Sequence, residues 1–185
     1  MAAAPPLVLV GAGRMGAALA RGWLSADPER QITIIDPNPT DEVTGWAAAG
    51  KVTLNPAAAP AGILVVAVKP QQFAKVAEAI RDFAGPKTLV VSIMAGVRIS
   101  QLSHRLGTAR IARAMPNTPG AIGQGVTVFC AAPGLGPADN ETVRSLLAPL
   151  GEVHGPVDEG LMSAVTALSG SGPAYVFLFL EAMQE

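Results

Sequence analysis

The stretch Leu7-Val8-Leu9-Val10-Gly11-Ala12-Gly13-Arg14-Met15-Gly16 constrains this chain more than any other. Four apolar residues that stop at a glycine describe a short strand covered on both faces, and Ala17-Ala18-Leu19-Ala20 beyond the third glycine describes a helix under way. A strand handed to a helix through G-x-G-x-x-G opens a doubly wound α/β domain, and each glycine has its own task. Gly11 makes the tight turn, Gly13 lets a pyrophosphate approach the backbone, and Gly16 lets helix and strand pack closely. The unpaired N–H groups of the helix start then face the anion.

The rest of the chain extends that unit. Short β-branched runs at Ile32–Ile35, Ile63–Val68, Leu89–Ile93, Arg110–Ala114 and Val126–Cys130 alternate with helix-period segments at Thr40–Ala49, Gln71–Phe83 and Ser100–Leu106. Ala138–Leu150 reads as a further helix, ended by Gly151 and followed by a short β-like piece, Glu152-Val153-His154. The implied fold class is α/β, a Rossmann-type doubly wound, mostly parallel sheet over residues 1–158, followed by the start of an all-helical domain over 159–185. A net charge of −1 with no long basic run gives no electrostatic footprint for nucleic acid or an anionic membrane. One cysteine and two histidines make no metal site of ordinary spacing. The apolar start ends after four residues without a basic flank, so it reads as a strand rather than a signal peptide, and a cytoplasmic setting is expected.

Polar residues gather where these strands end, which is the ligand edge of an open α/β sheet. Asp36 lies twenty residues beyond Gly16, placed to accept from the ribose hydroxyls of an adenosine; it leans toward NAD, while Asn38 and Thr40 could instead donate to a 2′-phosphate. In Ala67-Val68-Lys69-Pro70, the proline keeps Lys69 extended toward the crevice. Met94-Ala95-Gly96 follows the next strand with small residues that admit a flat nicotinamide. Pro116 and Pro119 bracket Asn117 and Thr118, a restricted loop suited to placing polar donors over a ligand. His104, His154 and Cys130 read as structural or surface residues, and Trp23 and Trp46 as helix–sheet packing.

The final stretch, Thr166–Glu185, joins a small-residue turn, Ser169-Gly170-Ser171-Gly172, to a helix from Pro173 with no polar face. Thirteen residues make roughly 20 Å of helix, too short for a bilayer, so protein is expected to cover it.

Five blocks in order, the Gly-rich turn, AVKPQ at 67–71, SIMAGV at 92–97, RAMPNTP at 113–119 and TALSGSGPAYVFLFLEAM at 166–183, resemble pyrroline-5-carboxylate reductase, the enzyme of the last step of proline synthesis. The resemblance implies NADPH or NADH as hydride donor and 1-pyrroline-5-carboxylate as substrate. It also implies a homodimer or higher homo-oligomer built through the helical domain. Residue by residue, it places Gly11, Ala12, Gly13, Arg14, Met15 and Gly16 on the pyrophosphate, and Asp36 and Asn38 at the ribose. Asn55 falls near the adenosine, and Ala67, Val68, Lys69 and Pro70 along the middle of the cofactor. Met94, Ala95 and Gly96 line the nicotinamide, and Asn117 and Thr118 face the reacting centre as the catalytic pair. Arg14 stands where the family often has Asn. The family's substrate-carboxylate loop belongs to a later part of the helical domain, so the chain is expected to be shortened at its C-terminus. The alternatives are a cofactor-binding module with little turnover, or another two-domain NAD(P) dehydrogenase.

Overall fold

The computed structural model describes residues 5–184. The expectations placed on Ala2–Ala4 and on the end at Glu185 lie outside them. The strands are β1 (Leu7–Val10), β2 (Ile32–Ile35), β3 (Thr53–Leu54), β4 (Ile63–Val66), β5 (Leu89–Ser92), β6 (Ile111–Met115), β7 (Gly125–Ala131) and β8 (Gly151–Val157). They form one eight-stranded sheet in the order β3-β2-β1-β4-β5-β6-β7-β8. Every pairing is parallel except β6 with β7. The chain returns from β6 to β7 through a short 3-10 turn at Thr118–Ile122, a link too brief for a parallel crossover, so that pair must run antiparallel.

Alternation along β1 sorts side chains to two cores. Leu7 and Leu9 join the cluster under α1 (Arg14–Ala26), α2 (Asp41–Ala48) and α5 (Pro137–Leu147). Val8 and Val10 face the cluster under α3 (Phe73–Ile80) and α4 (Ile99–Leu106). All four β1 residues are buried, as a strand covered on both faces requires. Trp23 joins α1 to α5: its indole N–H donates to the Leu146 carbonyl at 2.8 Å, satisfying one of the acceptors that the last turn of a helix leaves unpaired.

Several boundaries differ from the sequence reading. The strand expected over Ile63–Val68 stops at Val66, because Pro70 offers no N–H and the chain turns out of the ladder at Lys69 (φ −64°, ψ 137°). Thr53–Leu54, too short to carry periodicity, forms the edge strand beside β2. The piece at Glu152–His154 is part of a seven-residue strand.

The largest correction concerns Ser169–Gly172, which is not a break. The helical run begins at Glu159, continues through α6 (Met162–Val165), widens into a π turn at Thr166–Ser171 and passes into α7 (Gly172–Ala182). Pro173 lacks an N–H and crowds the carbonyl four residues back, and a widened turn accommodates both. Thr166 and Ser169 hydroxyls bond back to the carbonyls of Met162 and Val165. The run Glu159–Ala182 therefore has 24 residues and contains an 18-residue window of mean hydropathy 1.3, so it is long and apolar enough to cross a bilayer, against the expectation from thirteen residues. Tyr175 to Leu180 are exposed, Phe177 to 69% and Phe179 to 65%.

Candidate active site

The C-terminal ends of β1, β2, β4, β5 and β6 lie along one edge of the sheet, because all five strands run parallel. This edge gathers the Gly-rich turn, Asp36, Ala67–Pro70, Met94–Gly96 and Asn117–Thr118. Gly11 adopts φ +86°, and a Cβ there would meet the Ala67 carbonyl oxygen at 2.9 Å, so both conformation and space demand glycine. A Cβ on Gly16 would run into the Gly11 carbonyl oxygen, which lets α1 start directly behind the turn. Gly13 is exposed and has nothing within 4 Å of where a Cβ would stand; its open side is free for a ligand.

Asp36 fastens the turn from the neighbouring strand. One carboxylate oxygen accepts the Ala12 N–H at 2.7 Å, the other the Asn38 N–H at 2.9 Å. Asn55 locks the same corner: its Oδ1 accepts the Asp36 N–H at 2.9 Å and its Nδ2 donates to the Asp36 carbonyl at 2.8 Å. Asn55 sits at φ +48°, a conformation that Asn tolerates better than most residues.

A cleft of about 790 Å³ opens along this corner. Gly11, Gly13, Asp36, Asn38 and Asn55 line one side; Ala67, Val68 and Lys69 line its floor and rim. The 3-10 turn Pro70–Gln72 and helix α3 close the far side with Gln72, Lys75, Val76 and Ala79, residues that the sequence reading did not single out. The signal for Lys75 was present, since it falls one turn into the helix that follows Lys69-Pro70. Two lysines and the N-terminus of α1 favour an anionic ligand, and the size suits the adenosine and diphosphate portion of a dinucleotide.

The remaining residues lie outside that lining. Ala12 and Gly16 are buried, while Arg14 is exposed at the first position of α1. Met15 packs on the core, with its methyl group near Gly120 in the 3-10 turn. The Met94 side chain is 2% exposed and belongs to the core under α3 and α4, so only its backbone is available at the edge; Gly96 is exposed. Asn117 is half-buried, and its Oδ1 accepts the Val126 N–H at 2.9 Å, fixing the side chain. Thr118 is exposed on the first residue of the 3-10 turn.

Cys130 is buried on β7 beside Arg113 of β6, and burial, the largest cause, pushes its thiol up to about 11, with the nearby Glu159 carboxylate adding to the rise. Such a thiol is a packing group rather than a nucleophile. Among the described residues no group of three His, Cys, Asp or Glu could hold a metal ion.

Residues 6–96 match the family described as NADP oxidoreductase, coenzyme F420-dependent. Residues 159–185 match that described as pyrroline-5-carboxylate reductase dimerisation. The pyrroline-5-carboxylate reductase of Pasteurella multocida is 35% identical over 98% of this chain and 69% of its own length. Among solved structures, that of the Coxiella burnetii enzyme superposes with a TM-score of 0.84 at 30% identity, covering 97% of this chain and 69% of that one. The Plasmodium falciparum enzyme, solved with NADP bound, gives 0.77 at 28%, covering 96% and 67%. With 35% identity across 98% of this chain and 69% of that relative, and a solved member superposing at a TM-score of 0.84, the chain belongs to the pyrroline-5-carboxylate reductase family.

Proposed function

We propose that the protein reduces 1-pyrroline-5-carboxylate to L-proline with NADPH or NADH, the closing step of proline biosynthesis. The observation that carries this is the single edge of the sheet on which the Gly-rich turn, the adenosine-sized cleft and the Asn117–Thr118 loop stand side by side. The dinucleotide, when bound, supplies the hydride.

The chain's own residues bind and orient. Gly13 leaves room for the diphosphate against the start of α1, where N–H groups and the helix dipole oppose its charge. Asp36 and Asn38 border the adenosine ribose, with Lys69 and Lys75 across the cleft. Ala95, Gly96 and the backbone of Met94 offer a flat approach for the nicotinamide. Asn117, held by the Val126 N–H, and Thr118 orient the ring imine. A protonated imine accepts hydride readily, so the protein's work is placement and charge stabilisation rather than acid catalysis, which fits a site edge without a histidine.

Residues 1–158 form the cofactor domain, and 159–185 open a helical domain through which two copies associate. Bare Tyr175–Leu180 and the dimerisation match over 159–185 support that reading. A lone buried thiol suits the reducing cytoplasm, where we place the activity. The test is the oxidation of NADPH, followed by absorbance, on adding 1-pyrroline-5-carboxylate to the protein in its native assembly, with proline as measured product. Cofactor binding without proline formation would leave only a dinucleotide-binding module.

A further inference from the structure

We propose that Glu159 is a positioning residue of this reductase site, one carboxylate that holds the nicotinamide-side loop and the Asn117 loop in register from the base of the helical segment. The proposal rests on the function given above. Glu159 is the first residue of the helical run that leaves the sheet, and its Oε1 reaches back to accept the Ile99 N–H at 2.8 Å. Ile99 is the first residue of α4, three positions beyond Gly96. The carboxylate therefore caps that helix, whose N-cap residue, Arg98, supplies no equivalent acceptor, and it opposes the positive helix end.

The same oxygen faces the Arg113 guanidinium at 3.5 Å. Arg113 stands on β6, four residues before Asn117, and its side chain is only 6% exposed. Its Nε is buried without a partner, so Glu159 is the one carboxylate bonded to this cation among the described residues. On the adjacent strand Ser92 is in register with Arg113, and its hydroxyl oxygen accepts the Met94 N–H at 3.3 Å. One anionic group thus ties the loop ending at Ile99, the strand that leads to Asn117 and the start of the helical run. None of these contacts lies in the adenosine cleft, which separates positioning from cofactor affinity.

Two variants test this in the native assembly. Glu159→Ala removes the cap and the counter-charge; kcat is expected to fall roughly ten- to a hundredfold, as for displaced reacting groups. The Kd for NADPH should stay within about twofold, because the diphosphate and adenosine contacts are untouched. Glu159→Gln keeps an acceptor for the Ile99 N–H and loses only the charge facing Arg113, so it should fold and recover part of kcat. Amide exchange over 94–102 and 113–120 should quicken in Glu159→Ala and less in Glu159→Gln. Wild-type kcat and exchange in either folded variant overturns the proposal, as does a kcat loss matched by an equal loss of NADPH affinity. If the wild-type protein forms no proline, the functional reading fails instead, and the exchange measurement still decides whether Glu159 couples the two loops.

Discussion

Alanine at Gly13 and alanine at Gly16 should have opposite consequences, although both residues belong to one motif. At Gly16 the added methyl meets the Gly11 carbonyl oxygen, with the Gly11 carbonyl carbon at 3.1 Å and the Ala67 Cβ at 3.4 Å. The obstacle is backbone and cannot rotate away. Overpacking of this kind costs about 1–3 kcal/mol, and a rigid obstacle puts it near the upper end. For a chain of this size, about 3 kcal/mol lowers Tm by roughly 6–12 °C. At Gly13 the methyl enters empty space from an extended residue (φ −68°, ψ −166°). Losing glycine from an N-cap costs about 0.5–1 kcal/mol, comparable to what the stiffer unfolded chain returns, so Tm should hardly move. The ligand then meets the methyl. Forfeiting one or two charge-assisted bonds from backbone N–H groups to phosphate, about 1.5–3 kcal/mol each, weakens NADPH binding roughly ten- to a hundredfold or more. Thermal unfolding and titration with NADPH measure the two quantities separately. Equal Tm losses in both variants, or wild-type affinity in Gly13→Ala, would overturn these roles for the two glycines.

Trp23→Phe strands the buried Leu146 carbonyl and should cost about 1–3 kcal/mol by urea unfolding, with NADPH affinity unchanged. Folding raises the Cys130 pKa from 9.0 to about 11, so this group's stabilisation is complete below the unfolded pKa and disappears as pH rises through the folded one. That is about 2–3 kcal/mol across this window, and Cys130→Ala should lose correspondingly less stability between pH 8 and 11 in parallel urea titrations; identical slopes would disprove the assignment. Asn117→Ala unpairs the Val126 N–H and removes an orienting amide, so kcat for proline formation should drop at least tenfold while NADPH still binds; undiminished kcat would remove Asn117 from the site.

The doubly wound sheet was legible because its strands are short apolar runs ended by glycine or proline, and because Gly11, Gly13 and Gly16 each answer to a local demand. Edge strand β3 escaped notice: two residues carry no period, and their pairing with β2 is a tertiary fact. The π turn escaped for a different reason. Ser-Gly-Ser-Gly followed by Pro has every local mark of a break, and only a neighbouring surface explains continuation: a Cβ on Gly170 would meet the Met115 methyl at 2.5 Å, so the turn is pressed against the end of β6. Among the candidate site residues, the strand-end positions followed from topology, whereas Lys75 and the proposed positioning residue Glu159 required knowing which helix face or helix start meets which loop. Met94 shows the converse, a strand-end residue whose side chain the core claimed.

In the proposed cofactor site the Asp36 carboxylate would do two jobs, and redesign would feel both. Anyone seeking to switch coenzyme preference would begin by replacing it, yet its oxygens also hold the Ala12 and Asn38 amides. A substitution that deletes the acceptors along with the charge, such as Asp36→Ala, would loosen the Gly-rich turn. On that proposal selectivity and rigidity share a single side chain, so a successful exchange would need a neutral acceptor of similar reach.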